Sequence, residues 1–288
     1  MTPEAAKPKH PFKYSLNSST IRGQKLPITQ VVDITAKAGY DAIEVWIDEI
    51  DRFVGEGGKL PDLKKRIADS GLTLEGAIGF PAWLVDDDAQ RAAGLKEARR
   101  NMEMLQQIGG KRMAAPAIGA TDKQMTNLHD IAARYRALLE LGDSYNIVPM
   151  VEVWGFSKTL QHLGEAAFVC IESGHSDACV LADVYHLHKG GSPISGLKLL
   201  NGAAIHVFHV NDYPLEPGRE TLTDGHRVFP GDGKAPLDEI FQMLYSTGFR
   251  GVLSLELFNQ TYYKQDPLQV AQTGLSKTRD AVAKALKL

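Results

Sequence analysis

Cysteine is scarce in this sequence. Cys170 and Cys179 are the only two in 288 residues, and they form neither a disulfide framework nor a CxxC metal clip, so both read as core side chains. No run approaches the roughly 18 uninterrupted apolar residues of a membrane span. The first eleven residues, MTPEAAKPKHP, lack the apolar stretch of a secretory signal. Nor is there an excess of one charge: 32 Lys and Arg face 35 Asp and Glu, a formal net charge of -3, without the basic surplus that attracts nucleic-acid phosphates. These absences lead us to expect a reduced, cytoplasmic protein with neither membrane nor nucleic acid as partner. A GxGxxG or GxxxxGK[ST] motif is missing after the first β-rich run, and no composition break marks a second domain, which disfavours an open nucleotide-binding sheet.

What is present is an alternation. Behind a polar, Pro-containing start (1–12), β-rich runs alternate with amphipathic stretches from residue 13 to 288. The candidate strands are 13–20, 42–47, 73–80, 111–119, 147–154, 179–186, 205–212 and 251–258. The clearest helix is 88–109, where Leu95, Ala98, Met102, Leu105 and Ile108 recur at three- and four-residue spacing before Gly109 and Gly110. A second such helix is expected over 124–145. KAGYDAIEVW, DSGLTLEG, QIGGKRM and STGFRGVLSLE repeat one signal, a helix-ending glycine just before a strand. Strands separated by helices pair in parallel through right-handed crossovers, and eight units predict a single closed (β/α)8 TIM barrel. With 43% hydrophobic residues, the chain can fill such a core.

A barrel presents its functional groups at the carboxyl ends of its strands. Four consecutive strands end in ionisable residues among apolar ones: Val151-Glu152-Val153-Trp154, Ala182-Asp183-Val184-Tyr185-His186, Phe208-His209-Val210-Asn211-Asp212 and Leu255-Glu256-Leu257-Phe258. A carboxylate buried alone is costly or protonates, so Glu152, Asp183 and Glu256 call for a compensating cation. Taken singly, each also reads as a salt-bridged or rim residue. Together with His209 they read as ligands of one divalent metal ion. The oxygen-rich set favours Mn²⁺, Mg²⁺ or Co²⁺, with Zn²⁺ compatible. Arg227 sits in a long loop after strand seven, of the kind that folds over a barrel mouth and carries function. His188 reads as a rim residue. Gly231-Asp232-Gly233 reads as a turn in preference to a phosphate loop, while Glu44 and Asn17, singly, read as structural. Trp46, Phe80, Trp83, Trp154 and Phe258 read equally as core plugs and as walls flanking a sugar ring.

In this order, Glu152, Asp183 with His186, His209, Arg227 before Pro230-Gly231-Asp232-Gly233, and Glu256 resemble the xylose-isomerase-like superfamily of barrels. The last third, residues 205–272, is most similar to the inosose (2-keto-myo-inositol) isomerases among its sugar isomerases and epimerases. The resemblance implies a metal held by Glu152, Asp183, His209 and Glu256, with Glu152 and Glu256 doubling as catalytic acid and base. It also implies His186, Arg227 and Trp154 at the substrate, a small keto sugar or keto-cyclitol as that substrate, and pairing of barrels into a homo-oligomer. The expected reaction is isomerisation or epimerisation by proton transfer through an enediolate. Its alternatives are an inosose- or dehydroshikimate-type dehydratase on the same metal, an abasic-site endonuclease, which the mildly acidic chain disfavours, and a non-catalytic sugar-binding barrel, which would lack the acid or base kept here.

Overall fold

The computed structural model describes residues 10–288, so the expected polar tail lies largely outside the described residues. Eight strands, β1 (Lys13–Asn17), β2 (Ala42–Trp46), β3 (Thr73–Ile78), β4 (Arg112–Ala115), β5 (Val148–Glu152), β6 (Val180–Asp183), β7 (Val207–Val210) and β8 (Val252–Leu255), form a closed parallel barrel in sequence order. Closure is direct, with Lys13, Tyr14, Ser15 and Leu16 of β1 in register with Val252, Leu253, Ser254 and Leu255 of β8. The (β/α)8 architecture read from the alternation is therefore the one observed.

Among the described residues the outer layer contains α1 (Ile28–Ala38), α2 (Ile47–Gly55), α3 (Leu60–Asp69), α4 (Asp88–Ile108), α5 (Leu128–Asp143), α6 (Leu163–Ser173), α7 (Val184–Gly190), α8 (Leu237–Ser246) and α9 (Pro267–Leu286). The α4 helix runs almost as its periodicity predicts, capped by Asp87, whose side chain accepts from Gln90 N, and stopped by Gly109 at φ 82°. Asn127 caps α5 a few residues inside the expected start. Beneath the barrel, Phe12 packs against Phe249 with ring centroids 5.4 Å apart. Both cysteines are free, Cys179 buried and Cys170 half-buried. No helix among the described residues is long and apolar enough to cross a membrane.

The strand period of two explains how an apolar barrel acquires a polar mouth. Ile78, Ala114, Met150, Cys179, Leu181, Val207 and Val252 form a small apolar cluster of their own, the plug of the barrel. Two residues further along the same faces stand Glu152 after Met150, Asp183 after Leu181, His209 after Val207, and Ser254 then Glu256 after Val252. The larger core lies between strands and helices. Alternation thus lifts the ionisable groups onto one layer above the plug, at the end where barrels work.

Each candidate strand overran the observed one, and two ran well into helical turns. The end of 13–20 is the start of a 3-10 turn, Ser18–Gln24. The end of 179–186 is the first turn of α7, because the Asp183 side chain accepts from His186 N at 2.8 Å and caps a helix there. His186 is consequently a helix residue and not part of the strand that carries Asp183.

Candidate active site

Ligand-type atoms of Asp183, His209 and Glu256 lie within 4.8 Å of one another, all three residues buried. Register brings the first two together, since Asp183 of β6 pairs with His209 of β7. Glu152, the fourth expected residue, is buried at the end of β5 and lines the same cavity as Glu256, outside the tight trio.

The imidazole is held from behind. His209 Nε2 is 3.0 Å from Glu44 Oε2, a carboxylate that fixes the proton on that nitrogen and leaves Nδ1 as a lone pair toward the trio, as for metal-ligating histidines in general. Nδ1 lies 3.2 Å from Glu256 Oε2 but makes no hydrogen bond, and Glu152 Oε2 is likewise buried without a partner. A buried lone pair facing carboxylates is unfavourable unless a cation stands between them. The donor set therefore fits a divalent ion, with Asp183, His209, Glu256 and Glu152 as the groups able to hold it. Burial lowers the pKa of His209, but Glu256 and Glu44 outweigh it and raise the imidazole well above its usual value, so that without a divalent ion a proton on Nδ1 stands in its place. Burial likewise raises Glu256, yet His209 and Arg227 together hold that carboxyl down at about 2.

Arg227 is engaged in this layer through both of its Nη groups. Its Nη1 donates to Asp183 Oδ2 at 2.9 Å and to Glu256 Oε2 at 2.8 Å, and Nη2 donates to Asp224 and lies 3.1 Å from His186 Nε2. The loop after β7 does fold over the mouth, placing Asp224, Gly225 and Arg227 on the cavity. Asp212 anchors that loop: Oδ2 accepts from Gly231 N and Gly233 N, each at 3.0 Å, and Oδ1 from Ala235 N at 2.8 Å. These amides do cradle an anion, and it is the chain's own carboxylate, so Gly231-Asp232-Gly233 is a turn.

His186 lines the cavity from α7. Its Nδ1 accepts from Gly155 N at 3.3 Å, and burial, then Arg227, lowers its pKa, keeping the ring neutral. The contact demands glycine, since a Cβ at position 155 would lie 2.3 Å from His186 O. His188 is half-buried and stacks on Tyr213, centroids 3.9 Å apart. Trp154 and Phe80 stand in the cavity wall with Trp46 and Phe258. Trp83 is instead a core plug, its indole N–H bonded to Pro116 O at 2.9 Å.

Three further residues hold the site: Asn17 and Glu44, read from the sequence as structural, and Asn211, to which sequence reasoning gave no role. Asn17 donates to Glu256 Oε1 at 3.2 Å and accepts from Trp46 Nε1 at 3.0 Å. Asn211 donates to Asp183 Oδ2 at 2.8 Å. Glu44 buttresses His209 and shares the signature apolar-Glu-apolar, Ile43-Glu44-Val45, with the ends of strands five and eight; that signature could have marked it.

Glu152 yields a pH prediction. Burial first, then the nearby Glu256, raises its pKa from 4.5 to about 8. A carboxyl raised in the folded state stabilises it most below the unfolded value, and that contribution is lost as pH rises through the folded value. In chelator-treated protein, the unfolding free energy of wild type minus that of Glu152→Gln is expected to fall between about pH 4.5 and 8 and to level off above. Denaturant titrations across that range measure it, and a difference flat with pH contradicts the burial argument.

The family described as Xylose isomerase-like TIM barrel matches residues 32–281. Inosose isomerase of Bacillus velezensis is 26% identical over 268 residues, 89% of this chain and 92% of that one. Inosose isomerase of Bacillus subtilis is 29% identical over 197 residues, 66% of this chain and 69% of that one. The fold superposes on a crystal structure of the IolI protein with a zinc atom bound at a TM-score of 0.88 and 24% identity, covering 96% of this chain and all of that one, 100%.

Proposed function

Because this chain belongs to the xylose isomerase-like TIM barrel family, and curated relatives spanning most of its length are inosose isomerases, we propose that it is a metal-dependent isomerase or epimerase of a small keto sugar or keto-cyclitol. The observation that carries this reading is the buried convergence of Asp183, His209 and Glu256 within 4.8 Å, beside the unpartnered Glu152 Oε2. One divalent cation held by Glu152, Asp183, His209 and Glu256 would polarise a ketone oxygen and so acidify the adjacent C–H.

The protein's own groups then do the rest. Glu152 and Glu256 come from strands three barrel steps apart and line one cavity, which supports their acting on opposite faces of a carbon, one removing its proton and the other returning one. Neutral His186, whose Nδ1 accepts from Gly155 N, offers its Nε2–H to the substrate's oxygens. Arg227 adds its positive charge beside them while its Nη groups hold Asp183, Glu256 and Asp224, and Trp154 covers a C–H face of the ring. The roof made by Asp224, Gly225 and Arg227 limits water at the reacting carbon.

The test combines metal analysis with proton exchange. Purified protein is expected to hold about one divalent ion per chain and to lose activity with a chelator. With Mn²⁺ and a panel of inososes, ketohexoses and ketopentoses in D₂O, NMR is expected to show deuterium at the carbon beside the carbonyl. Protein without bound metal under saturating conditions, or with three zinc ions per chain, sinks the mononuclear site. Loss of water with formation of an enone would make the enzyme a lyase instead.

A further inference from the structure

The cavity over this layer holds about 320 Å³, near the lower end for small-molecule sites and sufficient for one hydroxylated ring. Its floor and its wall differ sharply in chemistry. Glu152, Asp224 and Glu256 line it with carboxyl groups, and Arg227 is the fixed cation among its described lining residues. Both Nη groups of that guanidinium already meet protein partners, Asp183, Glu256, Asp224 and His186. The neighbouring Arg22 lies outside the lining, stacked 4.5 Å over Trp46 and paired with Asp48. A phosphate entering here would be desolvated beside three carboxyl groups, and the Nη groups of the one lining guanidinium are already taken by Asp183, Glu256 and Asp224.

The wall is an arc of aromatic rings. From Phe258 to Trp46 the centroids are 5.9 Å apart, from Trp46 to Phe80 5.4 Å, from Phe80 to Trp154 6.0 Å, and from Trp154 to Phe156 5.0 Å. The inner members stand beside the carboxylate layer. Phe80, in the middle of the arc, and Phe156, at its end, remain 37% and 45% exposed, two large apolar rings left in water beside a polar site. An exposed apolar rim continuous with a ligand cavity marks surface that a ligand covers. Phe80 and Phe156 line the same cavity as the carboxyl floor, so a ligand that extends beyond a single polyol ring on the floor reaches them.

We infer that the enzyme is built for an uncharged cyclic hydroxyketone bearing an aryl substituent. The hydroxyketone ring sits on the floor, the aryl group lies along Phe80, Trp154 and Phe156, and phosphorylated rings are excluded. This substrate class rests on the isomerase reading of the floor, and Phe80 and Phe156 are its specificity-determining residues.

Calorimetric titration of the Mn²⁺-loaded full-length protein with three matched probes tests it: an inosose, its phosphate monoester and its phenyl ether. The phenyl ether is expected to bind at least about tenfold more tightly than the free inosose, and the phosphate ester at least about tenfold more weakly. In Phe80→Ala and Phe156→Ala the ratio of phenyl ether to inosose affinity, taken within each variant, should shrink toward one, with Phe156→Leu retaining part of it. A phosphate ester that binds as well as the free ring overturns the inference. So does a phenyl ether with no advantage, or an advantage that survives both alanine variants. Binding needs no turnover, so an aryl preference without exchange of the α-proton keeps the rim and removes the isomerase reading, whereas exchange without an aryl preference does the reverse.

Discussion

Replacing Glu256 with Gln is expected to lower kcat by at least ~10²-fold and to weaken the hold on a divalent ion at the same time. Few side chains in the molecule meet so many site groups. Glu256 lies 3.2 Å from His209 Nδ1, accepts from Arg227 Nη1 at 2.8 Å and accepts from Asn17 at 3.2 Å. An amide there removes one acceptor oxygen and, in either rotamer, turns a donor toward a group that already donates or must bind metal. Since metal loss alone would abolish activity, occupancy has to be measured in the variant. The informative comparison is Glu152→Gln, whose target oxygen has no protein partner and which should lose rate with less loss of metal. If product forms in D₂O without any deuterium at early conversion, with several substrates, a hydride shift is operating, and neither glutamate has the acid or base role.

The second large effect concerns Arg227. Arg227→Ala is expected to tighten divalent-metal binding by at least about tenfold while weakening substrate use. The guanidinium donates to Asp183 Oδ2 and Glu256 Oε2, two of the oxygens a metal would draw on. A guanidinium hydrogen-bonded to two of those oxygens would oppose a divalent ion there by several kcal/mol even at an effective dielectric of about 20. In chelated protein the same substitution leaves two buried carboxylates short of a partner, a change that typically costs ~3–5 kcal/mol. The melting temperature without metal should therefore drop, and added Mn²⁺ should restore more of it than in wild type. Metal affinity that falls in Arg227→Ala as it does in His209→Ala would instead make Arg227 a support of the metal site.

Much of this was legible in the sequence because each strand carries its message locally. Val-Glu-Val, Leu-Ala-Asp, Phe-His-Val and Leu-Glu-Leu each announce an ionisable group on an inward face, and the glycine before the next strand supplies the register that levels them. What stayed hidden depends on the closing of the ring. Asn17 of β1 meets Glu256 just past β8 at the closing seam, and Glu44 of β2 meets His209 of β7 across the barrel, 165 residues away in sequence. Nothing near either residue in sequence reveals its partner. The helical turn at His186 was hidden for a related reason: apolar Val184 and Tyr185 suit a strand, and only the Asp183 cap decides for a helix. The double engagement of Arg227 was equally out of reach, since a long loop shows where a side chain is tethered but not where it lands.

The β7 segment packs three duties into four positions. His209 faces the carboxylates, Asn211 steadies Asp183, and Asp212 pins the loop that delivers Arg227. An insertion or deletion of one residue there would disable all three together, so this segment should be nearly immutable. Phe80 and Phe156 sit in other loops, after β3 and β5, and their rings can be exchanged without disturbing any of those bonds. Directed evolution toward new substrates thus has a natural division of the gene: saturate the codons of the two phenylalanines and leave 207–212 untouched.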